Sequence, residues 1–378
     1  MKKNIRIICC FFLITLLYNC TQDNYILDEE DDTITNPENT NVKGFYLLNE
    51  GNMGSNSATI DFMDFTLGVY RKNIYATANP TMVKELGDVG NDIKVYGNKL
   101  YAVINVSNFI EVMDVKTAKH IATIPLENGR YITFANGKAY ASSYAGPVSI
   151  DPNSPLGKVV EIDTLNLSIT REATVGYQPE ELEVVGNKLF VANSGGYKPP
   201  NYDNTISVVD LNTFKETDKI EVAINLHRLK KDSQGDLYVT SRGDYKTISS
   251  NLYVINSETY QIKKTFNLPV SNFTIDDNKL YYYSNEFNYN TGNSTKSYGV
   301  IDTNSEEVIN NTLINDSELN NIKTPYGIAI NPQTKDIFLT DVGDYVSMGF
   351  VYCFDKNGTF KWKTTAGNIP AHFAFIYK

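Results

Sequence analysis

Past the first twenty residues, apolar positions come in short β-branched or aromatic runs broken by Asp, Asn, Gly and Thr. No stretch sustains a helical period. One run recurs at residues 59–64, 109–114, 158–163, 205–210, 251–256, 297–302 and 350–355. Each copy ends on Asp or Asn: Asp64, Asp114, Asp163, Asp210, Asn256, Asp302 and Asp355. These ends stand 50, 49, 47, 46, 46 and 53 residues apart, the size of a four-stranded propeller blade. After each end comes a Thr-, Asn- or Ser-rich turn, which Asp and Asn favour by bonding to the backbone two residues on. A fourth strand follows, as at residues 219–222.

Before each copy lies a strand of the Leu-Tyr-Val kind, at residues 45–48, 100–103, 139–142, 189–192, 237–240, 280–283 and 337–340. Before that sits an inner strand closed by a tight turn such as Gly97-Asn98, Asn136-Gly137, Gly186-Asn187 or Asp277-Asn278. The copy at Phe45 has no inner strand ahead of it, and residues 371–376 form an inner strand with no blade. Pairing the two closes a ring and removes open sheet edges. The expectation is an all-β fold: a seven-bladed β-propeller over residues 45–378, closed by pairing the C-terminal strand into the first blade.

The N-terminus reads as an address. Lys2, Lys3 and Arg6 precede an apolar stretch to Tyr18 that is too short to span a bilayer and suits a signal-peptide core. It ends in Leu16-Leu17-Tyr18-Asn19-Cys20, which resembles a bacterial lipobox in which Cys20 is lipidated, with Asn19 departing from the usual small residue. This divides the chain into a signal peptide (1–19), an acidic lipidated tether (20–44) and the propeller. The tether carries acidic residues at 28–32 and is too polar to fold alone. By resemblance, such an acidic cluster acts as a surface-export signal in Bacteroidetes lipoproteins, and Asp32-Thr33-Ile34 resembles an O-glycosylation site of that group.

Composition sharpens this picture. The chain has 378 residues, with 26 Tyr, 18 Phe and 43 Asn but three His and four Cys. Processing at Cys20 removes Cys9 and Cys10 and leaves Cys353 as a core thiol within an apolar strand. Loss of Lys2, Lys3 and Arg6 moves the formal charge from −10 to −13, which argues against a nucleic-acid partner. The sequence contains no Gly-x-Ser-x-Gly, His-Glu-x-x-His, P-loop or Cys-x-x-Cys, so neither an enzyme nor a resident cofactor or metal is expected. Residues 355–359 resemble a calcium-loop fragment without its downstream carboxylate and read as a turn. His120 is expected exposed on an outer strand.

Connections from second to third strands are long: 49–56, 142–157, 193–204, 241–250, 284–297 and 340–349. They share a face with the blade crossings at 176–179 and 367–370, and long loops on a rigid scaffold are where binding concentrates. Candidate ligand-binding residues on that face are Asn52, Asn56, Asn108, Tyr144, Tyr197, Tyr202, Arg242, Asp244, Tyr245, Phe287, Tyr289, Asp341 and Tyr345. His227 and His372 join them, because both stand near the start of inner strands and can face the central channel. Tyr offers apolar area with a hydroxyl and Asn offers donor and acceptor, which suits a large neutral ligand rich in amides or hydroxyls. The same composition also fits loops packed on one another.

From Phe45 to Lys378 the chain resembles the YncE-like surface propellers of Bacteroidetes. The resemblance is carried by Asn49-Glu50-Gly51-Asn52, Asn56-Ser57-Ala58-Thr59, the Val-Val-Asp-Leu-Asn-Thr repeats and Gly367-Asn368-Ile369-Pro370. It is similar to the cobalamin-capturing lipoproteins of the BtuG type. The resemblance implies a lipid-anchored protein of the outer-membrane cell surface, touching the membrane only through its anchor. It would bind cobalamin or a related corrinoid noncovalently and pass it to a TonB-dependent receptor. A siderophore or glycan binder and a structural or adhesive surface protein are the alternatives. The net charge of −13 argues against an anionic siderophore.

Overall fold

The computed structural model describes residues 31–82, 85–288 and 293–378. Seven antiparallel sheets surround a central channel, six of four strands and one of five. The inner strands of the second to seventh blades are Gly90–Tyr96, Gly129–Ala135, Pro179–Val185, Leu226–Lys231, Val270–Asp276 and Pro325–Ile330. The first blade takes its inner strand from the C-terminus: Pro370–Tyr377 pairs with Val42–Asn49, setting Phe375 opposite Phe45 and Phe373 opposite Leu47. The expected ring closure is therefore present.

Each blade is apolar on both faces. Along the second strand of the second blade, Leu100, Ala102 and Ile104 pack toward the first blade, while Tyr101 and Val103 pack toward the third. This follows from the two-residue side-chain period of a strand. The buried apolar residues fall into seven clusters, one at each blade–blade junction among the described residues. Cys353 is a free, buried thiol in the cluster between the seventh and first blades.

All seven repeat ends make the expected turn. Asp114 Oδ1 accepts from the N–H of Lys116 and Thr117, each at 3.0 Å, and Asn256 Oδ1 accepts from Glu258 and Thr259 at 3.0 and 2.7 Å. Asp64, Asp163 and Asp302 do the same, Asp210 Oδ1 accepts from the Thr213 N–H, and Asp355 Oδ1 from the Asn357 and Thr359 N–H groups. The fragment at 355–359 is thus a turn held by Asp355.

Three expectations need correction. The first strand begins at Val42 rather than Phe45, and the presumed tether contains a strand, Asp31–Thr33. Asp31–Thr33 pairs with Val69–Arg71 as a fifth, outermost strand, because Asp31 reaches Arg71 at 3.3 Å and Asp32 reaches Lys72 at 3.3 Å. The long loop expected at 284–297 is largely a hairpin, with strands Lys279–Asn288 and Asn293–Asp302 continuing their ladder outward. His120, on the outer strand of the second blade, is half-buried rather than exposed, since its Nδ1 meets the buried Glu111 carboxylate.

Phe45 sits at the closing seam, fully buried, with ring centroids 5.0 Å from Phe338 and 5.1 Å from Phe373. Phe45→Ala should lower stability by about 3–5 kcal/mol in urea unfolding. A loss below about 1 kcal/mol would show that the seam is not what holds the ring.

Candidate functional site

In every blade the pairing of inner and second strands shifts register near the start of the inner strand. Such bulges re-aim side chains. Here they place Arg130 and Tyr131, Glu180 and Glu181, His227 and Arg228, and Tyr326 around the channel. Hydroxyls of the second strands satisfy the bulged amides: Tyr131 N–H donates to Ser142 Oγ (3.2 Å), Arg228 N–H to Thr240 Oγ1 (3.0 Å) and Gly327 N–H to Thr340 Oγ1 (2.7 Å). Gly327 is required here by close approach, because a Cβ would come within 2.3 Å of the Ala371 carbonyl oxygen.

The channel mouth on the long-loop face is a cavity of about 630 Å³. Exposed Met53, Tyr245, Ile248 and Tyr345 form part of its rim, with half-buried Tyr197 beside them. Its floor is polar and joined across the ring. Tyr131 Oη, from the third blade, accepts from Arg228 Nη1 at 3.0 Å and lies 3.1 Å from His227 Nε2, both in the fifth. The Tyr131 ring also meets His372 of the first blade edge-on, with centroids 6.3 Å apart. Below this bridge lies a second cavity of about 340 Å³, and Arg228 and Asn272 line both.

Electrostatics set the floor. Glu180 is fully buried and takes Arg130 through Nε and Nη2, both at 3.1 Å, and Arg242 Nη2 at 3.1 Å. Burial pushes the Glu180 carboxyl up, but Arg130 and Arg242 outweigh it and hold it below its usual range. Glu181 accepts from Lys230 Nζ at 2.6 Å; burial raises its pKa, and Lys230, Arg228 and Lys94 bring it down to about 2. Burial, then the charges of Arg242, Arg228, Arg130 and His372, push His227 well below the ordinary imidazole range. Its ring is therefore neutral. His372 Nε2 instead meets Glu50 Oε1 at 3.1 Å, and Glu50 Oε2 accepts from Tyr326 at 2.9 Å.

The sequence-expected residues divide sharply. Tyr197, His227, Arg242, Tyr245 and Tyr345 line the upper cavity, and His372 lines the lower one. Tyr144 is buried with its hydroxyl given to Glu180 at 2.7 Å, so it supports the floor rather than facing a ligand. Asp341 is buried and caps the N–H groups of Lys323 and Thr324. Asp244 accepts from Lys246, Thr247 and Ile248 within its own loop, which lowers its pKa. Asn108 bonds the Asn128 N–H and the Val106 carbonyl, while Asn52, Asn56 and Tyr202 stand outside the cavity lining. The Phe287 side chain, Tyr289 and Cys20 lie outside the described residues. No group of three or more His, Cys, Asp or Glu able to hold a metal occurs among the described residues.

Glu50, Arg130, Tyr131, Arg228 and Tyr326 were not anticipated. For four of them the signal was available: Arg130, Tyr131, Arg228 and Tyr326 sit at or beside inner-strand starts, the offset that singled out His227 and His372, whereas Glu50 follows the end of the second strand Val42–Asn49. The net charge also misleads here. Arg130, Arg228, Arg242 and Lys246 line the upper cavity against Glu50, with Glu180 buried behind Arg130 and Arg242, so cations outnumber carboxylates at the mouth of an acidic protein.

Because folded His227 is neutral, the unfolded chain binds more protons below its ordinary pKa, and stability falls as pH drops through about 6.5. His227→Gln should lose less stability than wild type between about pH 7.5 and 5 in urea titrations; equal losses would contradict the neutral ring. Glu180→Gln strands two arginines and should cost about 3–5 kcal/mol in the same measurement, while a loss under about 1 kcal/mol would mean the cluster is compensated otherwise.

Solved structures share this fold at low identity. A hypothetical selenium-binding protein from Sulfolobus tokodaii matches with TM-score 0.63 and 12% identity, covering 89% of this chain and 94% of that one. A quinonprotein alcohol dehydrogenase-like protein from Bacteroides thetaiotaomicron matches with TM-score 0.58 and 13% identity, covering 89% and 79%. Kuenenia stuttgartiensis hydrazine synthase matches with TM-score 0.56 and 15% identity, covering 71% and 77%. No curated protein matches the chain. The family described as Domain of unknown function (DUF5074) matches residues 43–375, and the chain belongs to it.

Proposed function

We propose that this protein is a noncovalent capture protein whose loop-face cavity holds cobalamin or a related corrinoid. In this reading it is anchored through Cys20 at the outer-membrane cell surface and delivers its ligand to a TonB-dependent transporter. The observation that carries the reading is the cup itself: an apolar and aromatic rim of Met53, Tyr197, Tyr245, Ile248 and Tyr345 above a polar, cross-linked floor. Its volume of about 630 Å³ falls within the range of ligand pockets. A corrinoid would seat one edge in the cup and rest its ring on the rim. A rigid ligand on a scaffold already joined across the channel loses little entropy on binding. The YncE-like resemblance supplies the ligand class, and the leader and lipobox-like Cys20 supply the anchor. Binding accounts for the site without covalent chemistry, since its ionised side chains are largely engaged with one another.

The cationic mouth gives one rival more weight than net charge did, namely an anionic ferric siderophore. Calorimetry with cyanocobalamin on the purified protein distinguishes them: saturable binding is expected, and its absence alongside siderophore binding would replace the corrinoid. Tyr197→Ala and Tyr245→Ala should each weaken cyanocobalamin about tenfold through lost rim contact. Unchanged affinity in both would remove the loop face as the site.

A further inference from the structure

The three arginines of the upper cavity are not equivalent. Arg130 spends Nε and Nη2 on Glu180, and Arg242 gives Nε to Asn225 Oδ1 at 3.1 Å and Nη2 to Glu180. Arg228 is only 7% exposed, yet no carboxylate oxygen lies within 4.0 Å of it among the described residues. Glu181 is engaged instead by Lys230 and by the Leu229 N–H at 3.0 Å. The one hydrogen bond that Arg228 donates from its side chain, among the described residues, runs from Nη1 to Tyr131. Its Nε is buried without a partner, and Nη2 makes no bond there either. Glu181 offsets the charge of Arg228 from a distance without bonding it, and buried guanidinium donors left without partners are costly to a fold; such costs persist where a ligand uses them.

The geometry points to Arg228 as the receptor for an oxyanion, a phosphate or carboxylate group carried by the captured ligand, at the floor of the loop-face cavity. Arg228 lines that cavity with its remaining donors uncommitted, and a guanidinium accepts two oxygens of one anion side by side. The surrounding side chains have the right sign. Arg130, Arg242 and Lys246 line the same space, and the opposing charges, Glu50, Glu180 and Glu181, are held by His372 and Tyr326, by Arg130 and Arg242, and by Lys230 and the Leu229 N–H. Tyr131 holds the guanidinium, with the Arg228 cation 5.3 Å from its ring centroid. The inference rests on the loop-face cavity being the ligand site and names the group recognised at its floor.

The test compares wild type with Arg228→Met, which keeps the length of the side chain and removes its charge. Inorganic phosphate and acetate are titrated separately by calorimetry and by thermal unfolding. Wild type should bind at least one of the two and gain melting temperature with it; the stronger arm separates a phosphate from a carboxylate. Arg228→Met should bind that anion at least about tenfold more weakly and melt no lower than wild type without anion, because buried donors without partners have been removed and Lys230 still holds Glu181. Absence of anion binding by wild type, equal binding by Arg228→Met, or a variant that melts lower and still responds to the anion would each overturn the assignment. If Arg228→Met does not fold, wild type decides alone: anion binding that Lys246→Gln leaves within about twofold supports the buried arginine, and binding lost with the rim lysine overturns it. A parallel titration uses cyanocobalamin, which has a phosphodiester, and cobinamide, which does not. Corrinoid binding indifferent to Arg228 would leave the capture function standing and remove the oxyanion site. Anion binding at Arg228 without corrinoid binding would do the reverse.

Discussion

The pairing of Pro370–Tyr377 with Val42–Asn49 is the contact on which the rest of the structure depends. Every blade is apolar on both faces, so each must be flanked on both sides, and only a closed ring meets that demand. A strand from the C-terminus supplies the innermost position of a blade whose other strands come from the N-terminus. The seam joins residues more than three hundred positions apart in sequence, and it is filled by aromatic rings: Phe45, Phe65, Phe338, Phe373 and Phe375 pack around it. The outer edge of the same blade is covered by Asp31–Thr33, so the N-terminal segment protects the edge that its own sheet leaves open.

Closure also sets the chemistry. Seven inner strands converge on one channel, and the bulge near the start of each turns side chains into it. The channel is narrow enough for blades that are not neighbours to touch, as Tyr131 of the third blade does with His227 and Arg228 of the fifth. A cup with a floor results, instead of an open pore. Charges brought together there cannot be screened by bulk water, so they organise into buried pairs around Glu180 and Glu181. His227, surrounded by arginines, stays neutral.

The repeat, the number of blades, the turns and the closing strand were all legible in the sequence. They depend on local rules: a two-residue period, an Asp or Asn side chain bonding its own turn, and one inner strand too many at the C-terminus. The face that carries the larger channel-mouth cavity was legible too, through loop length. Residue by residue the site was half legible. Tyr197, Tyr245 and Tyr345 reach the cavity, whereas Tyr144 has the same residue type in the same kind of loop and is buried against Glu180.

By itself the sequence determined a seven-bladed ring, because alternation and turn chemistry are properties of neighbouring residues. Tertiary structure alone decided which side chains meet in the channel, since bulges shift the register without a sequence marker and bring together residues about a hundred positions apart, such as Tyr131 and Arg228. It alone also decided the sign of the site. Net charge sums over the whole surface, while the channel mouth itself is lined by Arg130, Arg228, Arg242 and Lys246.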